Sequence, residues 1–89
     1  MSPPGAEKLA RWILEYGTTG FTGHADNELA HDRLSRVDAQ NVLRAGTCVG
    51  CDLISGTWRY RFSTARIAVI VAFRSETAMV VVTAWRIKP

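Results

Sequence analysis

The residues best suited to chemistry lie in one short stretch, residues 23–34, which contains both histidines of the chain. Read as a helix with 3.6 residues per turn, this stretch places His24, Asn27, Glu28 and His31 on one stripe. A histidine can take a proton from a hydroxyl group near neutral pH, and a neighbouring carboxylate can orient its imidazole ring. The stripe therefore indicates acid–base catalysis.

Two other interpretations of the stripe remain open. His and Glu side chains on successive turns can share a metal ion, although the spacing is not H-E-x-x-H and the sequence shows no obvious further ligand. The stripe can also be an exposed polar face with histidines of no catalytic use. We expect no metal ion and no cofactor.

Arginines in the carboxyl-terminal half form a second candidate set. Three aromatic residues alternate there with two arginines, which puts the rings on one face of a strand and the guanidinium groups on the other. They are Trp58, Tyr60 and Phe62 against Arg59 and Arg61. Arg66, Arg74 and Arg86 lie in neighbouring turns or at the end of the sheet. Guanidinium groups bind phosphate through paired hydrogen bonds, so these residues predict a cationic surface for a phosphate backbone. The alternative is an ordinary solvated polar face.

Three helices are predicted to carry the histidine stripe and its support. The first follows Pro3 and Pro4 and ends at Gly17, with Trp12 as an expected core residue. The second runs from an N-cap at Thr22 to Arg33 or Leu34, and the third runs from Ser35 to Gly46 with a capping box completed by Asp38. Residues 18–21 between the first two helices are predicted to be a short loop.

Four strands are predicted after the helices. They cover residues 48–54, 57–62, 67–73 and 78–86, with a hairpin turn at Ser55 and Gly56. Trp85 in the last strand is expected to lie in the core, and the alternative is a platform on which a base stacks. Helices followed by strands indicate an α+β fold, in which three N-terminal helices pack on a four-stranded antiparallel meander sheet. The chain of 89 residues is expected to form a single domain over residues 1–89.

Composition narrows the class of protein only weakly. Apolar residues make up 47% and charged residues 21% of the chain, which is typical of a globular domain. A net charge of +3 is compatible with nucleic acid as a partner without requiring it. The N-terminus has no apolar signal-peptide core and no apolar run is long enough to cross a membrane, so we expect a cytoplasmic protein and no membrane partner.

The two cysteines, Cys48 and Cys51, have the C-x-x-C spacing. This spacing occurs in redox pairs and in half of a zinc site, but the chain has no second C-x-x-C to complete the metal site. We expect two reduced thiols in a half-buried strand.

The order and spacing of several short motifs resemble a family of small bacterial proteins. The motifs are His24-Ala25 at the start of a helix, Leu34-Ser35 with Asp38, residues 42–46, Tyr60-Arg61 in a strand and residues 81–86 at the end. The chain is similar to an uncharacterised domain family often encoded beside YgiT-type zinc-finger antitoxins, and related in fold to the MqsR, BrnT and RelE toxins. The resemblance covers roughly residues 22–86.

The resemblance implies a compact sheet with helices at its front and, by analogy, an endoribonuclease, ribosome-dependent or free, that a cognate antitoxin protein holds inactive. We therefore hypothesise a metal-independent endoribonuclease toxin of a type II toxin–antitoxin system, which cleaves RNA by attack of the 2′-hydroxyl group. The candidate catalytic residues are His24, Arg61, Arg86, Tyr60, Thr83 and His31, and the candidate RNA-binding residues are Arg59, Arg66 and Arg74. The alternative hypothesis is a non-enzymatic interaction protein, such as an inhibitor, an immunity protein or a phage-encoded binding domain.

Overall fold

The computed structural model describes residues 1–88 and has three helices and five strands. Its elements are α1 (Pro3–Tyr16), β1 (Thr18–Phe21), α2 (Gly23–His31), α3 (Arg36–Ala45), β2 (Thr47–Ile54), β3 (Thr57–Ser63), β4 (Ile67–Ser75) and β5 (Ala78–Arg86). The α+β class is confirmed. Pro89, the last residue of the predicted domain, lies outside the described residues.

Local capping groups account for the starts of the helices. The Thr22 side chain accepts a hydrogen bond from the backbone of Ala25, and a complete capping box joins Ser35 to Asp38. The predicted end of α2 at Arg33 or Leu34 is wrong. The helix ends at His31 because Arg33 has a φ of 58°, in the left-handed region that stops a right-handed helix.

The sheet contains a strand that the sequence did not predict. The strand order is β1-β5-β4-β3-β2, and β1 pairs in parallel with β5 while the other neighbours are antiparallel. The prediction of four antiparallel strands and of a loop at residues 18–21 is therefore wrong. Backbone hydrogen bonds from Thr18 to Thr77 (2.9 Å) and from Thr22 to Val81 (3.0 Å) hold this segment to a strand about sixty residues away in sequence. Because their partner is so distant in the sequence, residues 18–21 carry no local pattern of residue types that predicts a strand.

All three helices pack against one face of the sheet, which we call the inner face. Their buried side chains share one core with inner-face residues such as Phe62, Val69, Val71 and Val81. This arrangement leaves the opposite face, the outer face, without a helix over it. Its residues, by strand register, include Asp52, Arg59, Arg61, Ala68, Ile70, Ala72, Val80, Thr83 and Trp85.

Two aromatic residues lie outside the core in which they were expected. Trp12 is 44% exposed, because α1 buries the smaller Ala6, Ala10 and Ile13 against the sheet instead. Trp85 follows the buried Ala84, so strand alternation turns it to the outer face, where it is half-buried.

Among the described residues, no helix has the length and apolar composition needed to cross a membrane.

Candidate functional site

Thr22 fixes the beginning of α2, and with it the position of His24. The Thr22 Oγ1 atom accepts a hydrogen bond from the Ala25 N–H (3.0 Å) and donates one to the Val82 carbonyl (2.9 Å). Val82 is the extra residue of a β-bulge between β4 and β5. The first turn of α2 therefore begins beside β5 at Val82, the residue before Thr83.

A second contact ties α2 to α3 and β1. Arg36 donates two hydrogen bonds to the Asp26 carboxylate, at 2.9 Å and 2.7 Å, and its guanidinium lies 4.8 Å from the centre of the Phe21 ring. The hydrogen bond from Arg36 lowers the pKa of Asp26 below its ordinary value. Asp26 is in the first turn of α2, so the end of the helix that carries His24 is held on two sides.

The histidine stripe of α2 faces solvent. Ala25 and Leu29 are buried on the other side of the helix, while His24 and His31 are exposed. In the described part of the chain Glu28 forms no hydrogen bond or ion pair with either histidine. The exposed His24 imidazole is therefore open to a ligand, and Glu28 does not orient it in this state.

Strand register places two of the predicted catalytic residues in one row of the outer face. Arg61 on β3 lies opposite Ile70 on β4, and Ile70 lies opposite Thr83 on β5. Residues directly opposite each other project to the same face of a sheet, and adjacent strands are about 4.8 Å apart. The row leads from Arg61 across the outer face to Thr83, beside which the His24 helix begins.

Arg59 lies in the next row of the same face. It is opposite Asp52 on β2, and it is only partly exposed. Its Nε atom is buried and has no hydrogen-bond partner within residues 1–88. A buried guanidinium nitrogen without a partner costs free energy, and only the part of the Arg59 side chain that remains exposed can reach a ligand on this face.

A separate cluster forms at the carboxyl end of α2. The Asp32 carboxylate accepts a hydrogen bond from the Arg86 backbone N–H (2.8 Å) and lies 3.3 Å from His31 Nδ1, while the Arg86 side chain donates to the Asp32 carbonyl (3.1 Å). The bond from Arg86, followed by that from His31, lowers the pKa of Asp32. His31 and Arg86 therefore come together around Asp32, at the opposite end of α2 from His24.

The remaining predicted residues do not join either group. Tyr60 is buried on the inner face, opposite in direction to Arg61, and burial raises the pKa of its phenol. Arg66 lies in the turn before β4 and Arg74 near the far end of the same strand. The nine predicted site residues thus occupy several separate places, and only Arg61, Thr83 and Arg59 share the outer face.

Trp85 lies on the outer face and not in the core predicted for it. It lies opposite Ala68, which lies opposite Ser63, so its neighbours in that row have small side chains. The signal for its position was present in the alternation with the buried Ala84, but the apolar run through Val80–Val82 obscured which face is covered.

The cysteines are both free thiols, as expected, with Cys48 buried and Cys51 exposed. Burial raises the pKa of the Cys48 thiol, which makes it a poor nucleophile. Within residues 1–88 no three His, Cys, Asp or Glu side chains come together in a group able to hold a metal ion.

No protein-family model, curated protein or solved structure matches this chain.

Proposed function

We propose that this protein is an endoribonuclease that binds RNA on the outer face and cleaves it beside the start of α2. The observation that supports this proposal is the row from Arg61 to Thr83, which ends next to the helix that carries the exposed His24. Arg61 is exposed on the outer face, and His24 is exposed on the helix that begins beside β5, so an RNA strand that passes around the sheet at Thr83 would contact both. The resemblance to toxin families, described above, is an independent reason for the same proposal.

The reaction needs only groups that RNA and this chain supply. His24 accepts the proton of a ribose 2′-hydroxyl group, whose oxygen attacks the adjacent phosphorus. A bond forms between the 2′ oxygen and phosphorus, the bond from phosphorus to the 5′ oxygen breaks, and that oxygen takes a proton from water. The products carry a 2′,3′-cyclic phosphate and a 5′-hydroxyl group. Arg61 stabilises the extra negative charge on the phosphoryl oxygens, and Thr83 offers them a further hydrogen bond.

Induced expression in bacteria tests the proposal. The wild-type chain should arrest growth and degrade cellular RNA. His24→Ala should relieve both effects, because general acid–base catalysis contributes about 10²- to 10⁴-fold to a rate. Arg61→Ala should also relieve them, whereas Arg44→Ala, which removes an exposed arginine on α3, should not.

The result that would overturn the catalytic role is a His24→Ala variant as toxic as the wild type, at equal protein level. The control on α2 is Asn27→Ala, which changes another exposed residue of the same helix. It should keep the full effect.

Within this proposal the protein acts in the cytoplasm, where its RNA substrate is, and a cognate antitoxin protein holds it inactive. RNA on the ribosome and free RNA are both candidate substrates. Purified protein with free RNA separates the two, because a ribosome-dependent enzyme leaves free RNA intact.

A second candidate function is that of a non-enzymatic interaction protein, and the apolar end of the molecule favours it. Two shallow depressions of about 510 Å³ and 410 Å³ share Met1 there. The first is bordered by Leu9 and Trp12, and the second by Trp58 and Phe73. Large exposed apolar side chains in one region are typical of protein-binding surfaces.

The edge strand β2 adds to this surface. Glu7 accepts a hydrogen bond from the Cys48 N–H (2.8 Å) and so covers the start of the edge, but Leu53 and Ile54 at its other end are exposed. A double variant, Trp12→Ser with Trp58→Ser, should abolish a stable complex with a protein partner if this function is correct. RNA cleavage that survives the double variant would favour the enzyme.

A further inference from the structure

We propose that Trp85 is a stacking platform for one base of a single-stranded RNA, with Arg61 holding a neighbouring phosphate. This inference rests on the proposed function and adds the form of RNA that the site takes. It concerns the outer face alone and requires none of the chemistry assigned to His24.

The position of Trp85 is the first step. Its neighbour Ala84 is fully buried in the inner core, and Trp85 lies on the outer face, half-buried, with no helix of residues 1–88 packed over that face. Across the strands its row continues with Ala68 and Ser63. Ala68 is only 2% exposed, so neighbouring side chains of the outer face cover it, and a nucleobase would stack on the exposed part of the half-buried indole.

The distance to a phosphate-binding group is the second step. Trp85 and Arg61 are separated by two strand spacings across the sheet and by two residues along it, because Ala68 and Ile70 are their respective neighbours on β4. Their Cα atoms are therefore about 12 Å apart. An extended arginine side chain and an indole ring that lean towards each other shorten this separation. One nucleotide can then place its base on the indole and its phosphate at the guanidinium group.

Charge is the third step. Among residues 1–88, the strand register places two cationic groups, Arg59 and Arg61, and one carboxylate, Asp52, on the outer face. The excess positive charge complements a polyanion. Single strands combine phosphates along a cationic surface with bases that stack on aromatic rings, whereas the bases of a duplex are already stacked on each other. The outer face thus suits a single strand.

A fluorescence titration tests the inference. The replacements Trp12→Phe and Trp58→Phe leave Trp85 as the only tryptophan, and both change exposed rings, one on α1 and one on the side of β3 opposite to Arg59. The probe is a hexamer of 2′-O-methyladenosine, which lacks the attacking hydroxyl group and cannot be cleaved by the proposed reaction. An abasic hexamer with the same number of phosphates is the control. The adenosine hexamer should quench Trp85 fluorescence and bind about ten-fold more tightly than the abasic one.

Variants of Trp85 complete the test. Trp85→Ala in the protein that keeps Trp12 and Trp58 should weaken binding of the adenosine hexamer about ten-fold and leave binding of the abasic hexamer unchanged. Trp85→Phe retains a ring and should recover most of the loss. The matched control is Trp58→Ala, which should change neither affinity.

Equal affinity for the two hexamers, or full affinity in Trp85→Ala, would overturn the inference. Binding of neither hexamer would also overturn it and would leave the outer face as a protein surface. RNA cleavage at an unchanged rate in Trp85→Ala would refute the stacking role of Trp85 and would leave the proposed endoribonuclease function standing. Conversely, a protein that stacks the adenosine hexamer on Trp85 but never cleaves RNA keeps the platform and loses the enzyme.

Discussion

Replacement of Thr22 by Val should destabilise the protein measurably, because one hydroxyl group joins α2 to β5. Valine has nearly the same shape but neither accepts the Ala25 N–H nor donates to the Val82 carbonyl. Loss of a threonine N-cap costs about 1 kcal/mol, within a range of about 0.5–2. The partly buried Val82 carbonyl, left without its donor, adds about 1 kcal/mol. The free energy of unfolding should therefore fall by about 2 kcal/mol.

Thermal unfolding followed by circular dichroism gives the measurement. For a domain of this size each 1 kcal/mol lowers the midpoint by about 4–8 °C, so Thr22→Val should melt about 8–16 °C below the wild type. Thr22→Ser keeps the hydroxyl group and should retain most of the stability. The reasoning fails if Thr22→Val and Thr22→Ser unfold at the same temperature.

Three further predictions concern other parts of the fold. Gly17→Ala should lower the free energy of unfolding by about 1–3 kcal/mol, because the new Cβ would collide with the backbone of the β4–β5 turn, whereas Gly23→Ala has open space around it; equal denaturant midpoints would contradict this. Asp32 has a lowered pKa, so its contribution to the free energy of unfolding is present above pH 3.8, its ordinary pKa, and is lost as the pH falls below that value. The difference in free energy of unfolding between wild type and Asp32→Asn should therefore become smaller below pH 3.8. A difference that does not change with pH would contradict this role of Asp32. A thiol reagent should modify the exposed Cys51 in the native protein and reach the buried Cys48 only on unfolding, which mass spectrometry of the labelled peptides can check; equal labelling would contradict the burial.

Sequence alone predicted the parts of this fold that depend on neighbouring residues. The N-cap at Thr22, the capping box at Ser35, and the turn at Ser55 and Gly56 are all confirmed, the turn with φ values of 51° and 79°. Each depends on side chains or backbone preferences within a few residues. Strand β1 depends on hydrogen bonds to β5, far along the chain, and was missed for that reason.

The core of α1 shows a second physical reason for failure. The spacing of Leu9, Trp12, Ile13 and Tyr16 correctly predicted a helix, but only Ile13 of these four is fully buried. The helix approaches the sheet closely on the face of Ala6 and Ala10, whose small side chains permit the contact. The prediction favoured the largest apolar residues, most of which lie at the edge of the buried face of α1, over the small residues at the middle of that face.

In the candidate site too, some features depend on neighbouring residues and others on the pairing of distant strands. The exposed stripe on which His24 lies was one of the interpretations that the helical periodicity left open, since the pattern of α2 is local. Which strand residues share a face with one another depends on register, including the bulge at Val82. That register brings Arg61 and Thr83 into one row and puts Tyr60 on the opposite face, although Tyr60 and Arg61 are adjacent in the sequence.

The central claim is that His24 and the Arg61–Thr83 row form one RNA-cleaving site, and the products of RNA treated with purified protein test it most directly. The wild type, in the presence of a chelator, should yield fragments ending in 2′,3′-cyclic phosphate, with free RNA or with ribosomes. His24→Ala and Arg61→Ala should each lower the cleavage rate at least about 10²-fold, while Asn27→Ala and Arg44→Ala keep it. Fragments with other ends, a rate unchanged in His24→Ala, or no cleavage of either substrate by the wild type would contradict the account.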